Sequence, residues 1–189
     1  MSAEAAKVRL SALGFHDEDA GLRHIEALTS GTSRAVRIQT ALMPAMLAWL
    51  ADGPSPDHGL LAFRQVSEAL GESPWYLRAL RDEGAMAQRL AVVLSTSRYA
   101  VDVLTRAPET VQVLVDDDLT PLSREDLARQ MNAVARRHHD VEEAVGAIRA
   151  VRRRELFRIL VADILNVTGI RRIGQALTDL TGATIDAAL

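Results

Sequence analysis

The sequence contains no cysteine. Disulfide bonds, thiol nucleophiles and thiolate metal sites are therefore excluded. The first residues lack the basic segment followed by an apolar segment that forms a secretory signal. No apolar run approaches the roughly 20 residues that a membrane-spanning helix needs. We expect a cytoplasmic protein that makes no membrane contact.

Aromatic residues are scarce as well, at 4% of the chain, whereas 48% of the residues are hydrophobic and 25% are charged. Leu, Ala, Val, Glu and Arg dominate, and this usage favours helices over sheets. The net charge of -3 gives no electrostatic reason to bind a polyanion. The composition therefore predicts an all-α protein that binds no nucleic acid.

Prolines and capping residues mark where helices begin. Proline fits a first helical turn because its φ is already helical and its missing N–H has no partner there. The prolines at such positions are Pro56, Pro74 and Pro108. Asp140 with Glu143 has capping-box spacing, and Ser123 with Asp126 resembles one. With apolar residues at helical intervals, these marks predict an irregular bundle of about nine helices and no sheet.

Two segments carry more specific predictions. Pro44 lies inside the helical pattern of residues 33–52 and predicts either a kink or two helices that meet there. The last segment has apolar residues at spacings of three to five, namely Ile170, Ile173, Leu177, Leu180 and Ile185. We expect these side chains to be buried along one face, against the long helix that begins at Asp140.

The clearest break in the helical pattern is the acidic stretch 116–122. We therefore predict an N-terminal helical array at 1–115, an acidic connecting loop at 116–122 and a C-terminal hairpin of long helices at 123–189. Because the loop is short, one continuous domain is the alternative.

Asp116, Asp117 and Asp118 follow the apolar segment 111–115. Paired aspartates on a strand hold Mg²⁺ and a nucleoside triphosphate in nucleotidyltransferases. Such a site also needs an upstream Gly-Ser turn whose amides bind phosphate, whereas here a helix start at Pro108 precedes the aspartates. The sequence favours an acidic loop at a helix end over a catalytic site.

An arginine cluster stands out on the long helix. Its members are Arg149, Arg152, Arg153, Arg154 and Arg158. One interpretation is a solvated face in which Glu155 and Asp163 form local ion pairs. The other is a docking surface for an acidic partner or a neighbouring domain, because guanidinium groups bind carboxylate and phosphate well.

Trp75 and Tyr76 directly follow Pro74 at a predicted helix start. Large amphipathic rings of this kind dominate interface hot spots, so they could form an exposed anchor. The alternative is that they close a core.

Extended stretches of the chain resemble the glutamine synthetase adenylyltransferase family of high-GC Gram-positive bacteria. The resemblance covers nearly the whole chain and is stronger after Gly59 than before it. The stretches that carry it are Gly59–Gly71, Pro74–Gly84, Ser97–Tyr99, Ala107–Glu109, Arg152–Ile159, Asp163–Leu165, Ala176–Thr181 and Ala183–Leu189. The chain is similar to the helical region that precedes the second nucleotidyltransferase domain of that family.

The resemblance implies a long bifunctional parent that attaches AMP to glutamine synthetase and removes it by phosphorolysis, under the control of glutamine and the PII signal protein. ATP and Mg²⁺ are implied for the parent. The Gly-Ser turn and paired-aspartate strand of the family are not in this sequence, so no catalytic, cofactor-binding or metal-binding residue is carried over. The resemblance therefore implies no enzymatic activity for this chain alone.

Two hypotheses about function remain. The first is a non-catalytic connector that sets the relative placement of the flanking nucleotidyltransferase domains. The second is a module that itself binds an effector such as glutamine or responds to PII, with the arginine cluster meeting a carboxylate. Nucleic-acid binding by these arginines is disfavoured because aromatic interleaving and an overall basic charge are missing.

Overall fold

The computed structural model describes residues 3–71 and 73–189. These residues form helices, turns and loops and no strand, so the all-α prediction is confirmed. No helix among them is long and apolar enough to cross a lipid bilayer. The elements are α1 Ala3–Ala12, α2 Glu18–Thr29, α3 Arg34–Ala51, α4 Pro56–Leu70, α5 Pro74–Asp82, α6 Gly84–Thr96, α7 Arg98–Arg106, a 3-10 helix Pro108–Val115, α8 Arg124–Ala135, α9 Val141–Ile164 and α10 Ile170–Ala188.

The prolines mark helix starts largely as predicted. Pro56 and Pro74 begin α4 and α5, and Pro108 begins the 3-10 helix. Pro44 lies inside α3, which continues on both sides of it, so the alternative of two separate helices is wrong. Pro44 is exposed, and the helix is held by its opposite, buried face. The buried residues of that face are Ile38, Gln39, Met43, Met46 and Leu50.

The two predicted capping residues act as caps. Ser123 Oγ accepts a hydrogen bond from the Asp126 amide at 3.1 Å, immediately before α8. Asp140 Oδ2 accepts one from the Glu143 amide at 2.9 Å and so begins α9. Each side chain satisfies an amide that has no partner within its helix, and acidic residues in both first turns complement the positive helix end.

The contacts between Cα atoms divide the chain into two compact units, residues 1–115 and 116–189. In the N-terminal unit, α4 packs closely on α3 and α6. This approach depends on Gly59, where an added Cβ would lie 2.7 Å from Leu50 Cδ2 and 3.1 Å from Ser95 Cα. A glycine near the start of α4 therefore has a packing role here that outweighs its weak helix propensity.

The C-terminal unit contains α8, α9 and α10, and each of these helices packs against the other two. The sequence predicts a hairpin of long helices, and the structure adds α8 as a third member. Leu127 and Met131 of α8 are fully buried and contribute to the shared core. The buried core residues are Leu127, Met131, Ile148, Ile159, Ala162, Ile173, Ala176, Leu180 and Ala183.

The buried face of α10 differs from the predicted one. Ile173 and Leu180 are buried as expected. Ile170, Leu177 and Ile185 are 77%, 42% and 55% exposed, so the prediction that all five side chains line one buried face is wrong. The small residues Ala176 and Ala183 are buried in the core in their place. In the three-helix packing, the face of α10 that meets α8 and α9 carries these alanines together with Ile173 and Leu180.

The turn between α9 and α10 is fixed by backbone hydrogen bonds. The Asn166 amide donates to Asp163 O at 3.1 Å, and the Val167 amide donates to Ala162 O at 2.8 Å. This is the Schellman pattern, which requires a left-handed residue after the helix end. Asn166 fills that position with φ 53°. Asparagine tolerates this conformation better than other residues with a Cβ.

Candidate functional site

The acidic segment 116–122 is a loop with neither helix nor strand. Asp118 Oδ1 accepts a hydrogen bond from the Thr120 amide at 2.8 Å. Hydrogen bonds from Thr120 and the nearby charge of Arg158 lower the pKa of the Asp118 carboxyl below its usual value. The acidic side chains therefore help to shape the loop itself.

Arg158 of α9 holds this loop in place. Its side chain is 9% exposed. Nη1 donates to Asp118 O at 2.9 Å, and Nη2 donates to Asp116 Oδ2 at 2.5 Å. A guanidinium group can serve two acceptors at once because its donors form a planar fork. The member of the arginine cluster nearest the end of α9 is therefore an internal structural residue.

Glu155 completes the buried network one helical turn earlier. Its Oε1 accepts a hydrogen bond from the Leu122 amide at 2.7 Å, and its Oε2 lies 3.3 Å from Arg158 Nε. Burial raises the pKa of the Glu155 carboxyl, while the Leu122 amide and the Arg158 charge act in the opposite direction. Both ends of the loop are thus attached to adjacent turns of α9.

The geometry does not fit the metal-binding interpretation of the aspartates. Asp116 directs a carboxylate oxygen to Arg158 and follows a 3-10 helix instead of a strand. Across residues 3–71 and 73–189, no three His, Cys, Asp or Glu side chains are grouped closely enough to hold a metal ion. Residues 116–122 form a loop that Arg158 holds through Asp116 and Asp118.

The other four arginines of the cluster are exposed. They are Arg149, Arg152, Arg153 and Arg154. None of them forms an ion pair with another residue in the described part of the chain. Glu155, one of the two acidic residues predicted to pair locally, does form a local ion pair with Arg158, but in a buried position and not on a solvated face. The exposed part of the cluster therefore presents positive charge to its surroundings.

The aromatic pair is part of the N-terminal core. Tyr76 is fully buried, and its hydroxyl lies 3.0 Å from Ser67 Oγ. Burial raises the pKa of the Tyr76 hydroxyl. Trp75 is half-buried and meets Tyr76 edge-on, with ring centroids 5.9 Å apart. The interpretation of Tyr76 as an exposed anchor is therefore wrong, since the ring and its hydroxyl are both satisfied inside the unit.

An open cleft in the N-terminal unit is lined by arginine and apolar side chains, and one of its arginines, Arg81, is already paired with Asp82. Arg34 and Arg37 in the first turns of α3 and Arg81 of α5 surround the cleft, with Ile38 and Leu80 on its wall. Two arginines at the positive end of a helix are electrostatically unfavourable. Their spacing of three residues is visible in the sequence, whereas the proximity of Arg81 depends on how α5 packs on α3.

Comparison with known proteins gives the family. Residues 87–189 match the family model described as glutamate-ammonia ligase adenylyltransferase. The chain is 49% identical to a bifunctional glutamine synthetase adenylyltransferase/adenylyl-removing enzyme of Streptomyces coelicolor, covering 100% of this chain and 20% of the relative.

Relatives with the same description agree. The one from Nocardia farcinica is 45% identical, and the one from Mycobacterium tuberculosis H37Rv is 42% identical, each over 100% of this chain and 19% of the relative. The chain thus spans about a fifth of the length of these relatives. Over the part that it covers, the chain belongs to the glutamate-ammonia ligase adenylyltransferase family.

Proposed function

We propose that this chain is a non-catalytic helical connector within a longer cytoplasmic protein that adenylylates and deadenylylates glutamine synthetase. The descriptions of the relatives support the activity of the longer protein. The share of 20% that the chain covers leaves most of such a protein for other domains. In this proposal the flanking nucleotidyltransferase domains hold ATP and Mg²⁺, and the PII signal protein acts on the longer protein.

The single observation that carries the connector assignment is the binding of Asp116 by Arg158. Nucleotidyl transfer needs carboxylates that coordinate metal ions and so stabilise charge on the phosphates. A carboxylate that faces a buried guanidinium is poorly placed for that task, because metal and guanidinium repel each other. The acidic loop 116–122, which in the sequence resembles a metal-binding catalytic site, is therefore assigned a structural role.

The exposed arginines supply a means of connection. Four exposed arginines fall within six residues in the middle of α9, without ion-pair partners in the described chain. Such groups bind carboxylates with well-defined geometry. We assign them to contacts with acidic surfaces of the neighbouring domains, where they would set domain placement more than affinity.

An AMP-transfer assay tests the proposal. The 189-residue chain is incubated with radiolabelled ATP, Mg²⁺ and glutamine synthetase, and the longer protein serves as the positive control. We expect label on glutamine synthetase only with the longer protein. AMP transfer by the chain alone would overturn the non-catalytic assignment.

Calorimetry separates the connector from an effector-binding module. Glutamine is titrated into the chain, and a connector gives no heat of binding. Saturable heat that disappears in the variant Arg149→Glu/Arg152→Glu/Arg153→Glu would show instead that the arginine cluster itself binds the effector.

A further inference from the structure

Helix α10 carries a second apolar face that the core of its unit does not use. Ile170, Leu177 and Ile185 are exposed to 77%, 42% and 55%. Three small residues lie between and beyond them. The α10 stripe is defined as Ile170, Gly174, Leu177, Thr181, Ile185 and Ala188. Its spacings of three and four residues place all its members on one side of the helix.

The stripe is free of groups that require water. The Thr181 hydroxyl donates to Leu177 O at 2.8 Å, so its methyl group is available for apolar contact. The neighbouring Thr178 and Thr184 hydroxyls likewise donate to carbonyls four residues earlier, at 3.0 and 2.7 Å. Covering the stripe would therefore leave no unsatisfied hydroxyl, and unsatisfied buried polar groups are the main cost of burying a helix face.

The acidic residues Asp179 and Asp186 of α10 have partners within the unit. Gln175 Nε2 donates to Asp179 Oδ1 at 2.8 Å, and Arg124 Nη2 donates to Asp186 Oδ2 at 2.8 Å. These two carboxylates therefore need no counter-charge from a partner surface, whereas Arg171 and Arg172, next to Ile170, are exposed. A helix face of aliphatic and small residues matches it best.

The shape of the stripe also suits a helix. Gly174 has no atom near the position of a Cβ, so a partner backbone can approach there. The large Ile170 and Leu177 flank this gap at one end, and Ile185 stands at the other. Alternation of large and small side chains allows two helices to pack with their axes about 8–10 Å apart.

A helix that packs on the stripe could come from a second copy of the chain or from another segment of the same polypeptide. The size of the stripe distinguishes these two sources. Stable interfaces between separate proteins involve roughly 20–30 residues on each side. The six stripe residues are too few for a stable dimer between two copies of the chain. A segment of the same polypeptide is held at an effective concentration in the millimolar range and needs far less surface.

We propose that the α10 stripe is the docking face for a helix from the remainder of the longer protein, whose contacting face consists of aliphatic and small residues. The relatives, of which this chain covers about 20%, have ample length to supply it. This inference rests on the proposed placement of the chain within a longer protein. It is independent of the assignment of catalysis to other domains.

Cysteine labelling tests the docking face, because the 189-residue chain has no cysteine of its own. Leu177→Cys and Ile170→Cys place single thiols on the stripe. Gln175→Cys places a matched control thiol on the exposed polar side of the same helix. Each variant is pulsed with N-ethylmaleimide as the 189-residue chain and within the longer protein, and labelling at the substituted position is measured by peptide mass spectrometry.

We expect both stripe thiols to react at least about tenfold more slowly in the longer protein than in the 189-residue chain, and the control to react equally in both. The protection should not change when the protein is diluted. Equal rates at both stripe positions would overturn the inference, and so would protection that disappears on dilution, which would identify a second copy as the occupant. AMP transfer by the chain alone would contradict the proposed function while leaving this result intact.

Discussion

At the residue scale, Arg158 is the side chain on which the C-terminal unit depends most. It contacts Asp116, Asp118 and Glu155 while its own side chain is 9% exposed. Removing one member of a buried charge network leaves the others without compensation, which is more costly than losing an exposed ion pair. The arrangement therefore makes this arginine far less replaceable than the others on α9.

The variant Arg158→Met tests how much Arg158 contributes to stability. We expect it to lower the free energy of unfolding by about 3 kcal/mol, because the Glu155 and Asp116 carboxylates lose their counter-ion. The control Arg149→Met removes an exposed arginine from the same helix and should change stability by no more than about 0.5 kcal/mol.

Urea unfolding followed by circular dichroism measures both variants. Tryptophan fluorescence is unsuitable because Trp49 and Trp75 are in the N-terminal unit. Equal stability changes in the two variants would contradict a special role for Arg158.

The buried carboxyl predicts a pH dependence. The folded pKa of Glu155 is raised above its ordinary value of 4.5, so the folded state binds the proton more tightly than the unfolded state. Its contribution to stability is fully present below pH 4.5 and is lost as the pH rises through the folded pKa. Glu155→Gln cannot ionise and should remove this dependence.

The measurement compares urea unfolding of wild type and Glu155→Gln from about pH 4 to about pH 7. The variant should gain stability relative to the wild type as the pH rises. A difference in unfolding free energy that stays constant over this range would show that Glu155 does not titrate in the expected way.

Residue type alone could not distinguish the members of the arginine cluster. The spacing of Glu155 and Arg158 allows an ion pair, but Asp116 lies 42 residues from Arg158 in the chain. Their contact exists only once the loop has been placed on α9. The burial of Tyr76 could not be predicted from the sequence for the same reason, because its partner Ser67 lies on another helix.

At the element scale, features set by local interactions were predictable. The caps at Ser123 and Asp140 and the starts at Pro56 and Pro74 follow from the backbone needs of a first helical turn. The buried face of α10 was not predictable to the same degree. Two apolar faces lie side by side on that helix, and the packing of α8 and α9 decides which one is covered.

Gly59 provides a prediction about helix packing. The variant Gly59→Ala should destabilise the N-terminal unit by about 1–3 kcal/mol, because the new Cβ would meet Leu50 and Ser95. Gly146→Ala is the matched control in the second turn of α9, where nothing lies within 4 Å of the new Cβ. It should stabilise its helix by up to about 1 kcal/mol.

Urea unfolding followed by circular dichroism shows whether each variant raises or lowers the free energy of unfolding. Tryptophan fluorescence measures the effect of Gly59→Ala on the N-terminal unit separately. The close approach of α3, α4 and α6 would be disproved if Gly59→Ala stabilised the protein as much as Gly146→Ala does.

At the scale of the whole molecule, composition and helical periodicity were sufficient for the all-α class, and extended sequence similarity was sufficient for the family. Surface function was harder to derive. A charged or apolar residue has the same local pattern whether it faces solvent or a partner. The exposed arginines could therefore be located in the sequence, whereas the unpartnered stripe on α10 could not.

The arginine surface of α9 leads to a prediction for the longer protein. The triple variant Arg149→Glu/Arg152→Glu/Arg153→Glu should change the rate of AMP transfer to glutamine synthetase by about tenfold, because like charges would then oppose docking of an acidic domain. The helical content should remain unchanged, since these side chains are exposed.

The control Arg23→Glu/Arg98→Glu/Arg106→Glu makes the same change in charge at exposed positions of the N-terminal unit. It should leave the rate of AMP transfer near that of the wild type. Equal effects of the two triple variants would show that net charge, and not the α9 surface, determines the rate.

The turn at Asn166 has an evolutionary consequence. The direction in which the last helix leaves the preceding one depends on a backbone conformation that asparagine, aspartate and glycine tolerate and that β-branched residues avoid. Homologues that keep the same apolar surface on this helix should retain one of those three residue types at the turn. The exposed arginines of α9 have no such backbone requirement. We expect them to vary among homologues together with the acidic surface that they contact.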